Sequence, residues 1–391
     1  MTRNPVPTIV VAQLLGTSLW FSANGAADDL IRQWQISQAQ IGTLTNAVQF
    51  GFIVGTLVFG LSGLADRFPA SRIFAVCALL GAGFNACFAL FADGIAMALP
   101  LRFAVGFSLA GVYPLGMKLI VGWVPDRAGP ALAQLVGMLT LGTALPHGIR
   151  FAGGDWSWQA TVLVSSALAV LAAAMILRLG DGPHLRPRAG APRPGWGKVF
   201  EAWTVPAFRA SAFGYFGHMW ELYALWTLAP VLIAIGPLAS AGSPAVSGLS
   251  FAIVGIGAIG CFAGGWWSRR IGSARVAAAA LAASALCCAL FPFAVGWAAA
   301  LQLVLLLFWG LAVVADSPHF SALSARACPP AIVGSALALQ NAIGFAITMV
   351  SIQLGSVLVD SWGAAVAWLL LPGPLLALLG LYPLWRRRIT V

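Results

Sequence analysis

Twelve apolar runs of roughly helical membrane length, separated by short polar breaks, dominate this 391-residue chain. A bilayer core about 30 Å thick takes roughly 20 residues of helix. Backbone buried in hydrocarbon must satisfy its own hydrogen bonds, so each run reads as a spanning helix. The spans fall at residues 8–28, 41–63, 73–92, 95–122, 131–152 and 160–177, then 208–235, 245–267, 276–294, 298–322, 332–357 and 363–385. Only 8% of residues are charged, where a soluble domain carries about 25%, and this excludes a soluble enzyme. The expected fold is an all-α membrane protein of twelve transmembrane helices in two six-helix bundles, 1–177 and 208–391. The polar stretch 178–207, with Arg178, Asp181, Arg186, Arg188, Arg193 and Lys198, joins them.

The net charge of +10 would point to nucleic acid in a soluble protein, but here it maps topology. Seventeen of the 21 Lys and Arg residues fall on the side that holds both termini and the linker, which the positive-inside rule assigns to the cytoplasm. That places both termini in the cytoplasm and implies no nucleic-acid partner, and the excess of arginine over lysine, nineteen to two, points to a bacterial source and so to an inner membrane. The first run continues as a retained helix rather than a cleaved signal. The six cysteines lie mostly inside apolar runs without metal or disulfide spacing, so no metal or other cofactor is expected.

The chain repeats itself. Ser62 to Arg72, after span 2, corresponds to Gly265 to Arg275, after span 8, at an offset of 203 residues, and Pro114 corresponds to Pro318. Duplicated halves imply a pseudo-symmetric bundle with a central cavity. The loop Ser62-Gly-Leu-Ala-Asp66-Arg67-Phe-Pro-Ala-Ser-Arg72 resembles the G-x-L-A-D-R-x-G-R-R signature of the major facilitator superfamily, and Arg102 with Gly106 matches its helix 4 pattern. Ser62, Pro69, Ala70 and Ser71 depart from the signature. The resemblance implies a monomeric transporter that rocks two halves around a midplane site, with Asp66, Arg67 and Arg72 in a latch on the cytoplasmic face. The segments around Tyr113, His218 and Asp316 look like bacterial members grouped with nitrate/nitrite or cyanate porters. Span 2, however, lacks the arginine that nitrate porters carry. The glycine-rich span 5 pattern of drug antiporters is absent from Gln134 to His147.

An ionisable group inside a bilayer is costly and marks a functional position by default. Lys118 lies inside span 4 in a chain that uses arginine nineteen times and lysine twice, and it reads as an anion partner or as a snorkelling lysine. Arg102 reads as a substrate or relay group, or as a packing arginine. His147 and Arg150 share a face near the end of span 5 and suit a mouth. His218 and Glu221, three residues apart in span 7, could carry a proton, and Asp316 and His319 repeat that spacing around Pro318. Tyr113, Asn46, Trp220 and Asn341 complete the candidate substrate site, with Trp20, Phe21, Tyr215 and Trp226 as further aromatic candidates.

Cations in the first half and acids with histidines in the second predict a secondary transporter that takes up a small anionic or carboxylate solute with protons. In that reading Lys118 is the charge partner and Glu221, assisted by His218, the coupling group. Three other readings stay open: an exporter of drugs or hydrophobic metabolites, a transition-metal importer, and a non-transporting receptor or scaffold. No nucleophile–base pair argues for catalysis.

Overall fold

Helix starts and stops follow local chemistry. Helix 2 (Gln38–Ser62) opens with Ser37 and Gln40 in a reciprocal capping box, and helix 6 (Trp158–Leu179) opens with Ser157 accepting from Ala160 N. Helices 7 (Pro206–Ile235) and 8 (Pro244–Gly255 and Gly257–Ile271) begin with proline at the position that needs no N–H donor. The remaining helices are 3 (Ala70–Phe91), 5 (Ala128–Gly153), 9 (Ser273–Ala294) and 11 (Val333–Trp362). Helix 12 (Ala367–Leu370 and Pro372–Trp385) follows a reversal at Gly363, whose φ of +54° suits glycine. The computed structural model describes residues 4–154, 156–185, 199–329 and 332–386, except the side chains of Leu61 and Asp66. Among these, ten helical stretches are long and apolar enough to span a bilayer. The arrangement is consistent with twelve crossings, because the stretch Val333–Trp385 divides at Gly363 and the shorter Pro5–Thr17 opens helix 1.

Besides helices 8 and 12, three helices break where the sequence carries proline or loses its ladder. Helix 4 (Ile95–Leu109 and Tyr113–Trp123) breaks before Pro114, and helix 10 (Ala299–Ala315 and Ser317–Ala327) breaks at Asp316 before Pro318. The paired prolines therefore make paired breaks, as the repeat predicts. Helix 1 is longer than the 8–28 read from hydropathy. It runs as Pro5–Thr17, unwinds over residues 18–26, and resumes as the polar turn Ala27–Trp34. Asp28, Asp29 and Arg32 hide that extension from a hydropathy window.

The two halves pack by the same plan. Helix 1 lies against 6, helix 2 against 4 and helix 3 against 4 and 6. Likewise 7 lies against 12, 8 against 10 and 9 against 10 and 12. The repeat is visible at single glycines. A Cβ on Gly106 would sit 1.9 Å from Val48 O, and one on Gly310 would sit 1.9 Å from Ile253 O. Between the halves run two seams, helix 2 against 11 and helix 5 against 8, which the pseudo-symmetry interchanges. Leu79, Leu80, Leu376 and Leu379 are exposed on the outer surface and face lipid in a bilayer. Below, the end of the bundle that carries the linker is called the linker face, and the other the opposite face.

Candidate functional site

A contracted cavity of about 30 Å³ lies between the halves at mid-height. Helix 7 contributes Tyr215, Met219, Tyr223 and Trp226, a stripe that recurs every third or fourth residue and so occupies one face. Tyr113 comes from helix 4, Thr140 from helix 5, Ser317 and Ser321 from helix 10, and Asn341 and Phe345 from helix 11. The described lining has aromatic rings, hydroxyls and one amide, and no charged side chain.

Toward the opposite face the cavity is closed by an aromatic lid that joins the halves. Trp20 of helix 1 stacks on Tyr223 and on Phe345, each at 5.7 Å between ring centres. Phe52 of helix 2 lies 4.5 Å from Phe345, and Phe21 meets Trp226 edge-on at 6.1 Å. Trp20 is held from both sides. Its indole N–H donates to Gln49 Oε1 at 3.2 Å, and its carbonyl accepts from Arg102 Nη2 at 2.8 Å.

Arg102 is fully buried and belongs to this support rather than to the cavity. Its guanidinium also donates to Leu19 O, Ser22 Oγ and Asn85 Oδ1 at 2.7–3.0 Å. It thereby satisfies carbonyls released where helix 1 unwinds. Of the two readings open for Arg102, its placement matches the packing arginine.

Lys118 does not reach the cavity. Its ammonium donates to Ala65 O in the short turn Leu64–Arg67 that follows helix 2, so it braces the linker-face loop. Asp181 braces the same loop by accepting from the N–H groups of Ala70 and Ser71 at 3.1 and 2.7 Å, capping helix 3 where the signature has its basic pair. Arg67 and Arg72 are exposed, and among the described residues neither pairs with the second half. The Asp66 side chain lies outside the described residues.

The acids and histidines of the second half do meet, in different pairs from those the spacing suggests. His218 Nδ1 lies 2.8 Å from Asp316 Oδ1, both side chains buried, with the His218 ring 5.6 Å from Phe320. Proline-broken helix 10 presents Asp316 at its break, which places a helix 10 acid beside a helix 7 histidine. Glu221 turns instead toward helices 9 and 10. Its Oε1 accepts from Ser284 Oγ at 2.5 Å, Trp309 Nε1 at 2.7 Å and Cys288 Sγ at 3.2 Å. His319 points at Gly264 of helix 8, away from Asp316's partner. Spacing along one helix predicted His218 with Glu221 and Asp316 with His319, but a three-residue offset gives a shared face and does not choose the partner across it.

Other candidates are placed elsewhere. Trp220 donates to Leu369 O at 2.8 Å and packs on helix 12. Asn46 faces helix 11, donating to Met349 O at 2.9 Å. Arg150 pairs with Asp29 at 2.9 Å, tying helix 5 to the polar turn of helix 1, while buried His147 lies one turn below. Of the residues assigned to substrate, Tyr113 and Asn341 line the cavity. Tyr223, Thr140, Ser317, Ser321 and Phe345 were missed. The helix 7 stripe was legible as periodicity, but hydroxyls in apolar helices gave no comparable signal.

Known proteins agree with this architecture. Residues 9–352 match the profile of the Major Facilitator Superfamily. The chain is 26% identical over 177 residues to a Bacillus subtilis (strain 168) protein assigned as niacin/nicotinamide transporter NiaP, covering 44% of this chain and 43% of that one. It is 25% identical over 160 residues to the Pseudomonas putida 4-hydroxybenzoate transporter PcaK, covering 39% and 34%. The chain thus spans less than half the length of these curated relatives. The solved proton:xylose symporter XylE, bound to 6-bromo-6-deoxy-D-glucose, shares the fold with a TM-score of 0.77 at 13% identity, over 99% of this chain and 96% of that one. From a profile matching most of its length and a fold shared almost end to end, the chain belongs to the Major Facilitator Superfamily of membrane transporters.

Proposed function

We propose that this chain is a proton-coupled secondary transporter that takes up a small aromatic monocarboxylate by alternating access. It works as a monomer in the bacterial inner membrane with both termini in the cytoplasm. The observation that carries the reading is the cavity itself: rings from Tyr113, Tyr215, Tyr223, Trp226 and Phe345, hydroxyls and the Asn341 amide, with the buried His218–Asp316 pair beside it. Aromatic walls suit a planar ring. Hydroxyls and an amide suit a carboxyl group whose charge is balanced by a carried proton rather than by a lysine. NiaP and PcaK are named for niacin/nicotinamide and for 4-hydroxybenzoate, aromatic rings with a carboxyl or carboxamide. A cavity of about 30 Å³ has room for little more than water, so the solute is admitted by movement of the halves.

The charged reading with Lys118 as principal partner is replaced here, because that ammonium is committed to Ala65 O at the linker face. Glu221 is assigned a packing role among Ser284, Cys288 and Trp309, and the proton is assigned to Asp316 and His218. One other reading has support from the same cavity: an uncharged aromatic lining also fits export of hydrophobic metabolites.

Proteoliposomes loaded with a pH dye separate the two. Nicotinate or 4-hydroxybenzoate added outside should acidify the lumen in the wild type and leave it unchanged with Asp316→Asn. Transport of neutral hydrophobic compounds, with no response to either acid, would overturn the uptake reading and favour export.

A further inference from the structure

We propose that the turn joining helices 8 and 9 binds an anionic phospholipid, with Arg269, Arg270 and Arg275 holding its phosphate and the outward stripe of helix 8 holding an acyl chain.

Ile259, Phe262 and Trp266 are exposed at three- and four-residue steps, so they share the lipid-facing side of helix 8, and Arg270 continues the series. Trp266 and its exposed neighbour Trp267 lie in the last two turns of the helix, which ends at Ile271 on the linker face. Tryptophan at a helix end marks the depth where hydrocarbon meets headgroups. The Arg270 guanidinium lies 4.4 Å above the Trp266 ring. Stacking engages the flat face of a guanidinium and leaves the N–H fork in its plane for a phosphate.

The charge on this turn is uncompensated. Arg269, Arg270 and Arg275 are exposed, and among the described residues none of them forms an ion pair. The sequence holds no Asp or Glu between Glu221 and Asp316, so helices 8 and 9 supply no counter-charge of their own. Like charges on one turn repel, and an anion among them turns that repulsion into binding.

The internal repeat shows what such an anion replaces. At the offset of 203 residues, Arg269, Arg270 and Arg275 correspond to Asp66, Arg67 and Arg72. The first copy carries its own acids: Asp66 within the turn, and Asp181, which accepts from the N–H groups of Ala70 and Ser71 where helix 3 begins. In the second copy Arg269 stands in place of Asp66, helix 9 begins at Ser273 without a side-chain cap, and no acid follows Asp360 to play the part of Asp181. The same turn is thus built once with acids inside the chain and once with cations alone. A phospholipid headgroup supplies the missing negative charge, and the tryptophans and apolar stripe favour an anion that carries acyl chains over free phosphate.

Native mass spectrometry of the full-length protein in detergent, titrated with dioleoyl phosphatidylglycerol, tests the site. Arg269→Gln, Arg270→Gln and Arg275→Gln together should weaken binding of the first lipid at least about tenfold, since each cation near an anionic surface is worth roughly fivefold. Arg269→Asp alone, which restores the first copy's residue, should also weaken it, whereas Arg67→Gln with Arg72→Gln should change it less than about twofold. Zwitterionic dioleoyl phosphatidylethanolamine should bind the wild type and the triple variant alike, and excess inorganic phosphate should leave phosphatidylglycerol bound. Equal weakening by the first-copy pair would reduce the site to diffuse attraction by a basic face. Displacement by phosphate would make it a site for the free anion, and unchanged affinity in the triple variant would leave no site; each result overturns the proposal. The substituted arginines are exposed, so the variants should elute and melt as the wild type does, which separates lost binding from lost fold. With no solute in the experiment, failure here leaves the transport reading standing, and failure of that reading leaves the lipid site standing.

Discussion

His218 and Asp316 approach to 2.8 Å from two different helices, both buried, at the break that Pro318 makes in helix 10. Removing one member of a buried pair leaves the other without compensation. A break also exposes backbone groups that rearrange more readily than a continuous helix. The pair thus joins a helix 7 histidine to the break in helix 10.

From that contact, Asp316→Asn and His218→Gln should abolish accumulation driven by a pH gradient while retaining exchange of labelled for unlabelled solute across the membrane. Counterflow measured beside gradient-driven uptake checks this. Loss of both activities together would assign the pair to folding or solute binding instead.

Arg102 should be a stability residue first. Arg102→Ala leaves the Leu19 and Trp20 carbonyls without their donor and should cost about 2–4 kcal/mol. Arg102→Lys keeps charge but cannot span four acceptors on helices 1 and 3, and should recover little. Thermal unfolding in detergent reads the first effect. Fluorescence of the lid tryptophan, with Trp20→Phe as subtraction control, reads whether the lid has moved.

Lys118→Ala should leave KM for the solute within a factor of about three, whereas Asn341→Ala and Tyr215→Phe should raise it about tenfold, the loss of one hydrogen bond of roughly 1.4 kcal/mol. The contrast follows from Lys118 on Ala65 O and Asn341 in the cavity wall. Saturation kinetics in proteoliposomes decide it, and a large KM effect at Lys118 alone would restore the anion-partner reading.

Gly106→Ala and Gly310→Ala should be equally damaging, since both would place a methyl 1.9 Å from a backbone carbonyl of the neighbouring helix. Overpacking of this kind costs about 1–3 kcal/mol or more. Monodispersity and melting temperature of the purified variants should fall in parallel, while Gly83→Ala, with open space around it, should behave as wild type.

What was legible in the sequence followed from one-dimensional constraints. Run length and the absence of charge set the helices, because hydrocarbon leaves backbone no other partner. The repeated loop and the Pro114–Pro318 match set the pseudo-symmetry, which reappears as Gly106 on Val48 and Gly310 on Ile253. The polar turn Ala27–Trp34 escaped because a charged helix end looks like a loop to a hydropathy window.

The site was decided in three dimensions. Sequence marked Arg102, Lys118, Glu221, His218, Asp316 and His319 as costly to bury, and costliness is a property of each residue alone. What each one does depends on which neighbour compensates it. Arg102 found the carbonyls of an unwound helix, Lys118 a loop carbonyl, Glu221 a serine, a thiol and an indole, and His218 an acid about one hundred residues away. Helical periodicity fixes the face a side chain shares with its own turn, and only the packing of one helix on another fixes what it meets there.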